Sequence, residues 1–147
     1  MTRAAALEDA ANYIRALNHG ITKQDPADPA FQFYSSGQAA RYAHSQIEEY
    51  VDGGWTLTGT DRYYDAHVSP RDETEKIETV SVTFCEDQSK VFGREVASKK
   101  VHRTKESPAG YQEFTLLMTS VKDNPVWRAQ QVSVEGTSAA CSRSAAM

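Results

Sequence analysis

Val80-Ser81-Val82-Thr83-Phe84-Cys85, residues 80–85, alternates apolar and polar side chains without a break, which is the period of a half-buried β-strand. Successive strand side chains point to opposite faces, so Val80, Val82 and Phe84 share one side and Ser81, Thr83 and Cys85 the other. Downstream, Tyr111 to Val121 is rich in β-formers, and its Phe114, Leu116 and Met118 are expected to meet the first three across a core. Asp123-Asn124-Pro125 is a tight turn. Val126 to Val134 then completes a hairpin, with Val126, Val132 and Val134 alternating against Trp127, Ala129 and Gln131. Between these strands Glu86 to Lys90 reads as a polar turn, Val91 to Val101 as a weaker strand bending at Gly93, and Lys105 to Gly110 as a loop. Upstream, the period of two starts at Trp55 and Leu57 and continues with Tyr63, Asp65 and His67 opposite Tyr64, Ala66 and Val68, a first hairpin region. Ser69 to Lys76 is a charged loop.

The first third of the chain has a different period. Leu7, Ala10, Ala11, Ile14, Leu17 and Ile21 recur at spacings of three and four and predict a helix that fades near Gly20. Asp25-Pro26-Ala27-Asp28-Pro29 breaks it, since each proline removes an amide donor and restricts its predecessor. Phe31, Phe33 and Tyr34 return the chain to the core. A second helix runs from Ser35, with Ser35 and Gln38 as a capping box, through Ala40, Ala43, Ile47, Tyr50 and Val51 to the stop signal Gly53-Gly54. Helices first and meandering strands afterwards predict an α+β fold, N-terminal helices (about 4–53) packed on a strongly curved antiparallel sheet (about 55–135). Parallel strands would need crossover helices that are not present.

A chain of 147 residues has the size of one domain. The formal charge of −4 comes from mixed acids and bases, with no basic stripe to follow a phosphate backbone, so nucleic acid is not an expected partner. Nor does any stretch approach the roughly 20 apolar residues of a membrane span, and Met1 to Leu7 lacks the apolar centre of a signal peptide. The two cysteines have no companion cysteine or histidine pair at metal-ligand spacing, so neither a metal nor a cofactor is expected. Cys141 lies in a polar tail, residues 136–147, that cannot form a core alone; a disulfide to Cys85 that tethers the tail is the better explanation. Disulfides persist in oxidising compartments, which predicts an extracytoplasmic protein whose export segment is not among these residues. A cytoplasmic or virion setting would instead leave both thiols reduced.

The order of elements resembles the NTF2-like superfamily, in which N-terminal helices pack across a curved sheet to form a cone with a pocket. More narrowly, the chain is similar to small exported or lipid-anchored actinobacterial proteins. The likeness rests on Tyr13-Ile14, on Phe33-Tyr34 with Ser35-Ser36-Gly37, on Val80 to Ser89, and on Val126-Trp127-Arg128 through Cys141. It implies fold and disulfide placement rather than chemistry. The expected function is a binding or interaction module for a protein partner or a small apolar ligand, as an accessory part of an envelope or secretion assembly. A dimer is compatible with it. The alternatives are a pocket enzyme of isomerase or cyclase type and a cytoplasmic or phage structural subunit.

Enzymes of that superfamily place an Asp or His with Tyr inside the cone. Tyr63, Asp65 and His67 are the compact set here: on one strand face, Asp65 or His67 would be the base and Tyr63 the donor. Alternatively that face lies in water on an edge strand, and the more apolar Tyr64, Ala66 and Val68 face the core. His44 belongs to a solvated helix face beside Arg41 and Glu48, His19 and His102 are isolated, and Glu86 and Asp87 read as turn residues. Lys99, Lys100, His102 and Arg103 form a charged edge. No Gly-x-Ser-x-Gly elbow or phosphate loop occurs.

Overall fold

The computed structural model describes residues 3–102 and 111–146, with side chains as far as Ser142; the expected Lys105–Gly110 loop and Arg103 lie outside them. The elements are α1 (Arg3–Lys23), α2 (Pro29–Phe33), α3 (Gly37–Gly53), β1 (Trp55–Gly59), β2 (Arg62–Glu73), β3 (Ile77–Asp87), β4 (Val91–Glu95), β5 (Val101–His102), β6 (Tyr111–Val121), β7 (Arg128–Glu135) and α4 (Ala139–Ala146). The fold is α+β with N-terminal helices and antiparallel strands, as the periodicity predicts. The strands form two sheets rather than one, in the orders β2-β3-β6-β7 and β1-β4-β5. β1 accordingly pairs with β4 and not with β2, so the expected first hairpin is not formed.

α1 runs through Gly20 because that glycine is a point of close approach: a Cβ there would lie 2.3 Å from the Ile47 side chain of α3. Its buried stripe is Ala6, Ala10, Tyr13, Ile14, Leu17 and Ile21, rotated from the expected one so that Tyr13 is inside and its hydroxyl donates to the Ala39 carbonyl at 2.6 Å. α2 begins where a breaker is expected. Asp28 caps it, accepting from the Ala30 amide at 3.4 Å, and Pro29 sits at the first turn, where a missing N–H costs nothing. The expected capping box at Ser35 and Gln38 is absent: Ser35 donates to the Phe31 carbonyl and Gln38 accepts from the Val132 amide. Ser36 is the N-cap of α3, and Gly54, with φ +76°, ends it.

Val80, Val82 and Phe84 face the helices and are buried, as are Phe114, Leu116 and Met118. The two trios do not meet across the core. They are cross-strand neighbours on one inner face, in the register Val80↔Met118, Val82↔Leu116 and Phe84↔Phe114, and α1 and α3 supply the opposite side. β2 continues through the expected charged loop to Glu73, and the turn back is closed by the Thr74 amide on the Ile77 carbonyl. Its charges reflect an exposed strand end. In β7 the register shifts by one residue near Gln130, so Trp127, Ala129 and Val132 are all buried, which strict alternation forbids.

Cys85 and Cys141 are joined, with S–S 2.02 Å. The tail is a helix rather than a loose tether: α4 lies on β3 and β6, with the Tyr64 hydroxyl on the Cys141 carbonyl at 2.6 Å and the Ser138 amide on the Tyr111 carbonyl at 2.7 Å. The bond spans 56 residues. Its reduction is expected to cost about 2–4 kcal/mol, since the unfolded chain regains the entropy of the open loop. Urea melts with and without a dithiol reductant measure this, and superimposable curves would contradict it.

Candidate functional site

The inner face of β3 does not stop at Phe84. Counting on by two reaches Glu86, which is 1% exposed and lies directly opposite Tyr63 of β2. Two residues expected in a turn are therefore the last of a strand, and the first of them carries a carboxyl group into the interior. Gln88 donates to Glu86 Oε1 at 2.6 Å, and the Tyr63 hydroxyl donates to Asp61 Oδ2 at 2.7 Å. Asp61, on the short connection from β1 to β2, is close enough to Glu86 to act on its ionisation. Burial, then the charge of Glu86, push the Tyr42 and Tyr50 hydroxyls of α3 above their ordinary range. Burial pushes the Glu86 carboxyl up, the neighbouring Asp61 pushes it further, and together they raise it to about 8. Burial, then Glu86 and Asp61, likewise push the Tyr63 hydroxyl well above its ordinary range.

This network backs a cavity of about 370 Å³. α1 supplies Arg15, Asn18 and Thr22 on one side; β1 supplies Leu57, Thr58 and Gly59 on the other. Asp61, Tyr63, Gln88 and Val91 complete the lining. Asn18 reaches Asp61 at 3.5 Å. The cavity lies where the two sheets part, beside the end of β1, where Gly59 allows the close approach to β4: its φ is +96°, and a Cβ would lie 2.0 Å from the Lys90 carbonyl oxygen. A second groove of about 470 Å³ lies between α2 and α3, lined by Pro26, Ala27, Phe31, Ala40 and His44 among others.

The expected trio on β2 is not brought together. The register jumps from Tyr64↔Cys85 to His67↔Thr83, and Asp65 has φ +52°, so Asp65 and Ala66 form a bulge that reverses the faces beyond it. Tyr63 points inward and packs edge-on against Phe84, ring centroids 5.6 Å apart, while Asp65 and His67 are exposed. Val68, not Tyr64, joins Tyr63 against the core; Tyr64 stands on the outer face. His44 lies on the outer side of α3, its ring bonded to the Pro26 carbonyl at 2.8 Å and 3.3 Å from Glu48. His19 contacts the buried Asp28 at 2.6 Å and His102 contacts Glu95 at 2.6 Å. Glu113 approaches Cys85 and Cys141 within 4.8 Å, but the two sulfurs are bonded to each other and offer no thiolate. Among the described residues no helix is long and apolar enough to cross a membrane.

No family model and no curated protein matches the sequence. Among solved structures, the chain is similar to the intermembrane-space region of chloroplast protein ARC6, with a TM-score of 0.55 over 92% of this chain and 98% of that one. At 12% identity the likeness is one of fold.

Proposed function

We propose that the chain is an extracytoplasmic binding module built on an NTF2-like cone, an accessory part of an envelope or secretion assembly. Its ligand, a small and largely apolar molecule or a side chain of a protein partner, enters the cavity beside α1. The observation that carries this reading is the cavity itself, about 370 Å³ between separate elements, a size suited to a small ligand or a single inserted side chain. The polar groups at its back are spent on one another, Tyr63 on Asp61 and Gln88 on Glu86, which suits holding a ligand better than transforming it. The disulfide supports an oxidising compartment. The fold-level likeness to a region that sits between two membranes supports an envelope setting by analogy alone.

Leu57→Trp fills the cavity from the β1 side. A ligand-detected NMR screen of small apolar and amphipathic molecules is expected to yield saturable binders that lose about tenfold or more in affinity in this variant, about 1.4 kcal/mol, while the fold melts within a few degrees of the parent. Binders indifferent to Leu57→Trp, or no saturable binder, would count against the reading.

A second reading, a pocket enzyme of isomerase or cyclase type, is favoured by one observation: a carboxyl group raised to about 8 beside Asp61 and Tyr63. Such a group is a neutral acid at pH 7 next to a potential base. Enolisation of a test ketone that disappears in Asp61→Asn would promote it over the first.

A further inference from the structure

We propose that the ligand of the cavity carries a primary ammonium group on an apolar body, and that Asp61 and Gln88 hold this group at the back of the cavity. The inference rests on reading the cavity as the ligand site, and names what that site selects. The hydrogen-bond inventory of the lining carries it. Of the donors at the back, the Tyr63 hydroxyl and the Asn18 amide are both directed at Asp61 Oδ2, at 2.7 and 3.5 Å, and the Gln88 amide at Glu86 Oε1, at 2.6 Å. What remains unused are acceptors. Asp61 Oδ1 and Gln88 Oε1 receive no hydrogen bond from the described residues, and both side chains line the cavity. A carboxylate oxygen and an amide oxygen side by side call for a donor, and a primary ammonium group offers three.

Charge points the same way. Asp61 is half-buried, and Glu86, opposite Tyr63 in the strand register, is 1% exposed. The ion pairs of the described residues join His19 to Asp28, His44 to Glu48, Arg62 to Asp87 and His102 to Glu95, and leave Asp61 and Glu86 without a cation. The basic side chain of the lining, Arg15, is exposed at the rim and bonds Asn12 at 3.1 Å. Water screens its charge there, so it does not neutralise Asp61. Withdrawing a carboxylate from water without a cation is costly, and an ammonium group at Asp61 offsets that cost through charge-assisted hydrogen bonds. Leu57 and Val91 supply apolar wall for the rest of the ligand. A neutral ligand of the same shape keeps the apolar contact and loses the charge-assisted bonds, whereas an anion is repelled by Asp61.

Three molecules of nearly the same shape separate these cases. Cyclohexylmethylammonium, cyclohexylmethanol and cyclohexanecarboxylate are each titrated at pH 7 into ¹⁵N-labelled protein, and the side-chain amides of Asn18 and Gln88 are followed. The expected result is saturable binding of the ammonium, about tenfold or more tighter than the alcohol, and no saturation with the carboxylate. Asp61→Asn is expected to bring ammonium and alcohol within about threefold of each other. The ammonium group has two sources, a free amine and a lysine side chain of a protein partner, which Nα-acetyl-lysine methylamide tells apart: affinity equal to that of the free amine assigns the lysine, and no saturation assigns the free amine. An alcohol that binds as tightly as the ammonium, or a preference for ammonium that survives in Asp61→Asn, would overturn the proposal and leave the cavity standing as a ligand site. No saturation by the ammonium also overturns it, while the wider screen with Leu57→Trp decides the cavity on its own. If Asp61→Asn does not fold, the order of the three molecules on the parent protein still decides.

Discussion

Phe84→Ala is expected to destabilise the fold by roughly 3–5 kcal/mol, the range for removing a buried aromatic ring and leaving a cavity that the surroundings only partly fill. Phe84 is 4% exposed and stands at the centre of an aromatic row, stacked on Phe114 with centroids 5.5 Å apart and met edge-on by Tyr63. Removing its ring therefore unseats Tyr63 as well, and with it the hydroxyl that holds Asp61. Thr83→Ala, one residue away, is the control. Thr83 is on the outer face, where its hydroxyl shares one 3.3 Å contact with Thr115, and its loss should cost less than about 1 kcal/mol. Equal losses in urea melts of the two variants would mean that the inner face of β3 is assigned wrongly.

Phe84 was legible in the sequence and Glu86 was not, although the same count by two reaches both. Glu86-Asp87-Gln88-Ser89 is polar throughout, and polarity ordinarily marks the end of a strand. Here it marks instead a polar interior that closes upon itself, with Gln88 donating to the buried carboxyl group and Tyr63, opposite it, donating to Asp61. The bulges were the other loss. Nothing in Tyr63 to Val68 distinguishes a regular strand from one with an extra residue, and although Asp tolerates the left-handed conformation better than most residues, tolerance is not a signal. One inserted residue places His67 in solvent while Tyr63 stays on the cavity side, and the candidate catalytic set falls apart. Near Gln130 the same device places Trp127 and Val132 on one side. The helices show the complementary case. α2, five residues long, is too short for periodicity, yet Asp28-Pro29 is a helix start as well as a breaker, and only packing decides between the two. The disulfide was accessible because the polar surroundings of Cys141 needed an external anchor.

Glu86→Gln should change the pH dependence of stability more than any other single substitution at the site. The carboxyl group is raised from an ordinary 4.5 to about 8 in the folded chain. Below pH 4.5 both folded and unfolded states are protonated, and Glu86 contributes no pH dependence. Between the two values the unfolded chain has released the proton and the folded chain still holds it, so stability falls as pH rises, by about 1.4 kcal/mol per unit at most. Above the folded value both states are ionised, and the full penalty, on the order of 5 kcal/mol, remains. Glutamine keeps the size of the protonated carboxyl group and never ionises, so the variant lacks this slope. The two proteins should therefore lie close together at pH 5 and separate progressively toward pH 8.5, the variant becoming the more stable. Taking the difference between their urea-melt stabilities at each pH cancels the groups they share, leaving the contribution of Glu86. A difference that stays flat from pH 5 to 9 would mean that Glu86 is ionised throughout that range, and that the interior accommodates its charge.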